Sequence, residues 1–225
     1  MSLGKADKTF PPPFTGEVLS VAKRRGAFSA ASTLIAALLL TAAAQAGWHE
    51  DASPRDVERL GHIAEARAKG LNEASHGNPS DYAAIRSILQ AGSVPASEHR
   101  LIGSWRCRTL KLGGMTPSVV YGWFRCRIWQ EGRLLHFEKL SGTQRTSGTL
   151  YPDVNGLVYL GASYVTAYGP AEKKPAYSGG GASAGADATP DDQIGLLSLT
   201  YDGRARLELP YPVQESTFDV IELKR

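Results

Sequence analysis

Cysteine is nearly missing from this chain: its 225 residues hold two, Cys107 and Cys126. They form no C-x-x-C, so neither a thioredoxin-like redox pair nor a cysteine-rich zinc site is encoded. Histidine is scarce as well. His49, His62, His76, His99 and His136 make no H-x-H and no H-E-x-x-H, which removes motif-based zinc hydrolysis. His136 shares strand parity with arginines rather than with apolar residues, so a pocket-facing haem ligand is not expected. G-x-S-x-G is absent, and with it the nucleophile elbow of the α/β-hydrolases. No catalytic residue, metal or cofactor is therefore expected. Excess charge is missing too. Residues 1–46 carry five Lys/Arg and two Asp/Glu, a net of +3, which equals the net of the whole chain. Residues 47–225 therefore balance at zero, and nucleic acid loses its electrostatic footing as a partner.

Only one long apolar run exists, Ala27 to Ala44, and it follows Lys23-Arg24-Arg25 and ends in Ala44-Gln45-Ala46. A basic front, a short apolar stretch and small residues at the end make up a cleaved signal peptide over 1–46. The run is Ala-rich and too short for a comfortable membrane span, so no stable anchor is expected after cleavage. The adjacent arginines leave the Sec and twin-arginine routes both open. Export to the periplasm or beyond places the two cysteines where an even count reads as a disulfide, Cys107 to Cys126.

Residues 47–95 read as a helical segment. Ser53 can cap a helix with Pro54 at its first position, and Val57, Leu60, Ile63 or Ala64, Ala68 and Leu71 follow at helical spacing. Ser80 is the expected cap of a second helix bearing Tyr82, Ile85, Ile88 and Leu89, stopped by Gly92. From 96 to 225 the period falls to two. Strands are expected at 101–111, 118–129, 134–141, 145–151, 156–166, 193–200, 204–209 and 217–225. Glu131-Gly132, Asn155-Gly156 and Asp202-Gly203 are the hairpin signals. The stretch 167–192, with Gly179-Gly180-Gly181 and little apolar content beyond Tyr168 and Tyr177, reads as a flexible surface loop. The fold expected is mainly β: an eight-stranded antiparallel lipocalin-like barrel preceded by two short α-helices.

Two resemblances bear on this. Gly103-Ser104-Trp105 on the first strand resembles the G-x-W signature of the lipocalin-like (calycin) barrels, in which a basic residue of the last strand packs over the Trp; Lys224 or Arg225 could serve. Over nearly all of 47–225 the chain is similar to an exported alphaproteobacterial family of unknown function, numbered 4893. The stretches that carry this are Leu101 to Arg108, Tyr121 to Arg127, Phe137 to Gly142, Tyr159 to Tyr164 and Leu207 to Pro212. That resemblance implies export and a single domain, and no activity.

The duplicated hexapeptides, Gly103 to Arg108 and Gly122 to Arg127, set the site expectations. Pairing Cys107 opposite Cys126 would set Arg106 against Arg127 and Arg108 against Arg125. A turn at Glu131-Gly132 would set Arg125 against Glu138 and Cys126 against Phe137. Like charges facing across a ladder destabilise it, so acidic partners must offset them; Glu138, Glu58 and Glu65 are candidates. Trp105, Phe124, Phe137 and Tyr164 are the expected wall of a cavity for a small apolar or amphiphilic ligand. Arg106, Arg108, Arg125 and Arg127 with Trp123 and Trp129 form a face suited to an anion or an envelope protein partner. Arg145, in the polar stretch 141–148, belongs to a second candidate at the barrel rim.

Overall fold

In a computed structural model, the described residues are 47–94, 96–166, 174–179 and 191–225. All fall within one unit, Ala42–Arg225. The expected leader lies outside them, as does most of the expected loop. Five helices come first or nearly so: α1 (Trp48–Asp51), α2 (Pro54–Gly61), α3 (Ile63–Ala74), α4 (Pro79–Leu89) and, after the two-residue strand β1 (Ser93–Val94), α5 (Glu98–Leu101). Nine more strands follow: β2 (Gly103–Leu112), β3 (Ser118–Val120), β4 (Phe124–Glu131), β5 (Leu134–Lys139), β6 (Gln144–Asp153), β7 (Gly156–Val165), β8 (Asp192–Thr200), β9 (Ala205–Pro210) and β10 (Phe218–Lys224).

The helix caps follow the sequence chemistry with two corrections. Ser53 Oγ accepts the amide of Asp56, and Pro54 opens α2 where a missing N–H costs nothing. The first helix expected from the spacing breaks at His62 into α2 and α3. The second helix is capped by Asn78, not Ser80. The Asn78 carboxamide oxygen accepts the amides of Ser80 and Asp81, with Pro79 at the first helical position.

The strands form the expected barrel. Each of β2, β4, β5, β6, β7, β8, β9 and β10 pairs antiparallel with the next, and β10 returns to β2, closing eight strands without an edge. β1 adds to β8 beyond the reach of β7. The strand expected over 118–129 is interrupted. Cys107 pairs with Phe124 and Leu110 with Val120, so Arg108 and Thr109 face three residues, Tyr121 to Trp123. That extra residue is a β-bulge.

Both expected registers slip by two. Trp105 pairs with Cys126, Arg106 with Arg125 and Cys107 with Phe124, and on the other side Arg127 pairs with Glu138 and Cys126 with Lys139. The hairpin turn consists of Gly132-Arg133, because its first central position has φ 61°, which glycine adopts freely. A slip of two leaves every side chain on its face. The cysteines therefore still bond, diagonally, with their Cα atoms 5.8 Å apart.

One end of the barrel is closed. Trp105 is 4 % exposed, its Nε1 donates to Leu101 O at 2.7 Å, and the Arg225 guanidinium lies 4.2 Å above its ring. Arg225 also donates to the carbonyls of Arg100 and Ile102. Of the two basic candidates for that position, Arg225 takes it; Lys224 lies over Trp123 instead. The middle is filled. Cys107, Ile128, Phe137, Tyr159, Leu207 and Leu223 belong to one buried cluster. Tyr159 fits because Gly148 and Gly161 sit opposite each other: a Cβ at Gly161 would come within 2.2 Å of the Tyr159 hydroxyl. Outside, Leu110, Leu112, Phe218 and Val220 pack beneath α3 and α4, while Tyr151, Val158, Leu160 and Ile194 pack with Trp48 of α1 and Val57 of α2.

The disulfide staples the two strands at the centre of this core, and closing a loop of that length contributes about 3 kcal/mol. Replacing both cysteines with alanine is expected to lower the unfolding free energy by at least about that amount in denaturant melts; an unchanged midpoint would contradict the staple.

Candidate functional site

Inward positions follow the pleat, and three of them are charged. On β5 the inward series Leu135, Phe137 ends in Lys139; on β2 Trp105, Cys107, Thr109 ends in Lys111; on β10 Leu223 and Ile221 lead to Asp219. All three chain directions put these residues at the same end, opposite Trp105. There the barrel opens into a cavity of about 130 Å³, lined by these residues together with Arg145, Thr146 and Gln193 among others. Val165 and Asp191, which flank the long β7–β8 connection, stand at its rim, as does the loop from Tyr211 to Thr217. Tyr211 (φ 44°) and Glu215 (φ 71°) in that loop hold a backbone conformation that non-glycine residues rarely adopt. Strain of this kind collects at functional sites.

The charges at the mouth are unequally satisfied. Lys111 pairs with Asp219 at 3.1 Å and Glu215 at 3.3 Å. Burial pulls its pKa down, but those carboxylates outweigh burial and hold the ammonium above its usual value. Asp219 also accepts from Ser216 Oγ at 2.5 Å. Arg145 donates from Nε to Gly142 O at 2.9 Å. Thr146 bonds to Gln193 and to the Tyr159 hydroxyl, both at 2.6 Å. Lys139 is different. It is 6 % exposed, its Nζ lies 4.5 Å from the centre of the Phe124 ring, and no carboxylate among the described residues comes within 4.0 Å of it. Burial, and next Lys111 and Arg145, push its pKa down to about 8.

The expected site residues divide between places. Trp105 and Phe137 lie in the solid core, Phe137 edge-on to Tyr159 at 6.0 Å. Phe124 faces inward beneath Lys139 at the mouth. Tyr164 faces outward, its hydroxyl 3.4 Å from Glu138, at the mouth's rim. The arginines form a strip on the outer face of β2 and β4. Arg108 pairs with Glu222 at 2.6 Å and lies over Trp123, which also carries Lys224. Arg127 lies over Trp129. Arg106 and Arg125 face each other, both exposed, with no carboxylate within 4.0 Å among the described residues. The acidic partners fall elsewhere: Glu65 bonds His62 and Tyr211, and Glu138 pairs with Lys174.

A second opening, a groove of about 480 Å³, runs along the outside of β5 and β6 between Trp129 and Tyr177. Most of its polar side chains are already partnered: His136 with Thr149, Glu138 with Lys174, Tyr151 with Asp51, Tyr177 with Asp56 and Ser53. The mouth, with an unanswered buried cation, is the stronger site. Lys139, Lys111 and Asp219 were absent from the sequence expectations. The signal was present, because each continues the inward parity of an apolar series.

An unpaired buried charge costs stability. In the folded chain Lys139 releases its proton near pH 8, and in the unfolded chain near the ordinary 10.5. Between those values the unfolded state binds more protons, so stability rises with pH across that window, and the penalty is fully present below it. Lys139→Met is therefore expected to stabilise the fold at pH 7 by about 1–3 kcal/mol, with the gain shrinking toward pH 10. Denaturant melts at both pH values check this; a destabilised variant at pH 7 would contradict it.

Among the described residues no helix is long and apolar enough to cross a membrane, and no cluster of three or more His, Cys, Asp or Glu residues could hold a metal. No curated protein and no solved structure matches the chain. A family model does, over residues 48–223, which is the helical collar and the whole barrel. The chain belongs to that family, a domain of unknown function designated DUF4893.

Proposed function

We propose that this is an exported, non-catalytic binding barrel that takes a small anionic ligand, a short carboxylate or the carboxylate head of an amphiphile, at its lysine-lined mouth. One observation carries the reading: Lys139 presents a buried ammonium with no carboxylate partner among the described residues to a cavity that also holds Lys111 and Arg145. A carboxylate there would supply the missing acceptors, and charge-assisted hydrogen bonds are about twice as strong as neutral ones. The lining also carries four carboxylates, Asp191, Asp192, Glu215 and Asp219, against Lys111, Lys139 and Arg145, so the attraction for an anion is local to Lys139 and suits a single negative charge. A wholly apolar ligand has little room. The core is filled from Trp105 to Tyr159, and the open volume falls short of the roughly 300–1,000 Å³ of sites for drug-sized ligands. Export is supported by the leader pattern of residues 1–46 and by the disulfide, which persists in oxidising compartments.

The arginine strip supports a second reading, a surface for an acidic partner. Arg106 and Arg125 oppose each other with no carboxylate within 4.0 Å among the described residues, at a cost to the ladder that an anionic partner would remove. One experiment separates the two. Calorimetric titration with acetate, hexanoate and inorganic phosphate is expected to show carboxylate binding that weakens at least about tenfold, or about 1.4 kcal/mol, in Lys139→Met. The Arg106→Ser/Arg125→Ser variant is expected to bind as the parent does. Carboxylate binding that is unaffected at Lys139 but lost at the arginines would overturn the mouth reading in favour of the strip.

A further inference from the structure

We propose that Lys139 is a nucleophile that captures small 2-oxo acids as a Schiff base in the barrel mouth. This rests on the reading that the mouth accepts a carboxylate, and goes beyond it by giving the lysine nitrogen a covalent role. The geometry supplies three requirements. The first is an amine without a carboxylate to hold its proton. Lys139 Nζ lies against the Phe124 ring, and no Asp or Glu oxygen among the described residues comes within 4.0 Å. The second is a space for a small ligand, which the cavity of about 130 Å³ provides. The third is a separate cation to hold the acid's carboxylate while the lysine meets its carbonyl carbon.

Lys111 from β2 and Arg145 from β6 both line the cavity and are the cations that bear on Lys139. Lys111 is fixed in its charged form by Asp219 of β10 and Glu215 of the preceding loop, whereas Lys139, lining the same cavity, has no such partner among the described residues. Tyr164 of β7 and Asp191 beside β8 are the other titratable groups at the rim, and Asp192 is occupied by Ser178. A lysine desolvated beside another cation is the usual way a protein makes an amine nucleophilic near neutral pH.

The step balances without a cofactor. The unprotonated Nζ adds to the carbonyl carbon, forming a C–N bond, while the carbonyl oxygen takes a proton and becomes a hydroxyl. The carbinolamine then loses that hydroxyl as water together with the remaining amine hydrogen, leaving a C=N bond. No electron changes hands. The product stays tethered until water returns.

The test is reductive trapping of the intact protein. Incubation with pyruvate and sodium cyanoborohydride near pH 8, followed by proteolysis and mass spectrometry, is expected to raise the Lys139 peptide by the mass of pyruvic acid less one oxygen. Labelling of Lys139 is expected to exceed that of Lys69, Lys174 and Lys224 at least tenfold and to fall when acetate is added in excess. Lysines labelled evenly, or Lys139 left bare, would overturn the nucleophile. If acetate still binds the same protein calorimetrically while Lys139 stays bare, the anion site survives and the covalent step alone fails. If acetate does not bind either, both fall.

Discussion

The Arg225 guanidinium over the Trp105 ring decides which end of the barrel is closed, and the rest of the molecule is arranged around that choice. Eight strands enclose an interior about wide enough for side chains alone. Once Trp105, Phe137 and Tyr159 fill the closed end and the middle, every inward residue that cannot be apolar must sit at the other end. Lys111, Lys139 and Asp219 do so, and the cavity is the space they leave. Closure of one end is thus what gives the other its chemistry.

The outer face obeys the same economy of charge with a different result. Among the described residues, its buried ions are largely paired. Arg59 binds Asp56 and the carbonyl of Pro210; Arg206 binds Glu208 and takes up the carbonyls of Ile88, Leu89 and Ala91 at the end of α4. Those carbonyls have no partner within the helix, so a strand arginine completes the helix that covers it. Arg108 and Arg204 share Glu222 in the same manner. Tyr177, from the described part of the long connection, donates to Asp56 at 2.5 Å and anchors that segment to α2. Against this background of paired ions, Lys139 inside and Arg106 with Arg125 outside stand apart. A buried charge left without a carboxylate is retained at a cost in stability, as is common at binding sites.

The barrel was legible because alternation survives small errors. Period two placed the strands, and a register slip of two leaves inside and outside unchanged, so the two cysteines kept their common inner face. The filled interior was not foreseen, because Trp105, Phe124, Phe137 and Tyr164 were expected to wall a cavity. The register itself was not legible. Glu131-Gly132 and Gly132-Arg133 are equally plausible turns until the positive φ of Gly132 is known. Nor does alternation foresee the bulge at Tyr121 to Trp123, where one extra residue on β4's side of the ladder re-aims Trp123 toward Arg108 and Lys224. Asn78 displaced Ser80 as a cap because its carboxamide reaches two amides with Pro79 already bent into the helix. The mouth was legible in principle. Attention to aromatic residues led instead to Trp105 and Phe137, which the closed end consumes; the informative residues were the charges on inward parity.

The central claim is that Lys139 is a buried ammonium without a carboxylate partner in the described structure. Heteronuclear NMR of lysine side-chain nitrogens and ε-carbons, followed through a pH titration of the intact protein, tests it directly. One lysine should titrate near pH 8, and its signal should be the one missing from Lys139→Met. Titration of every lysine near the ordinary 10.5 would contradict the account.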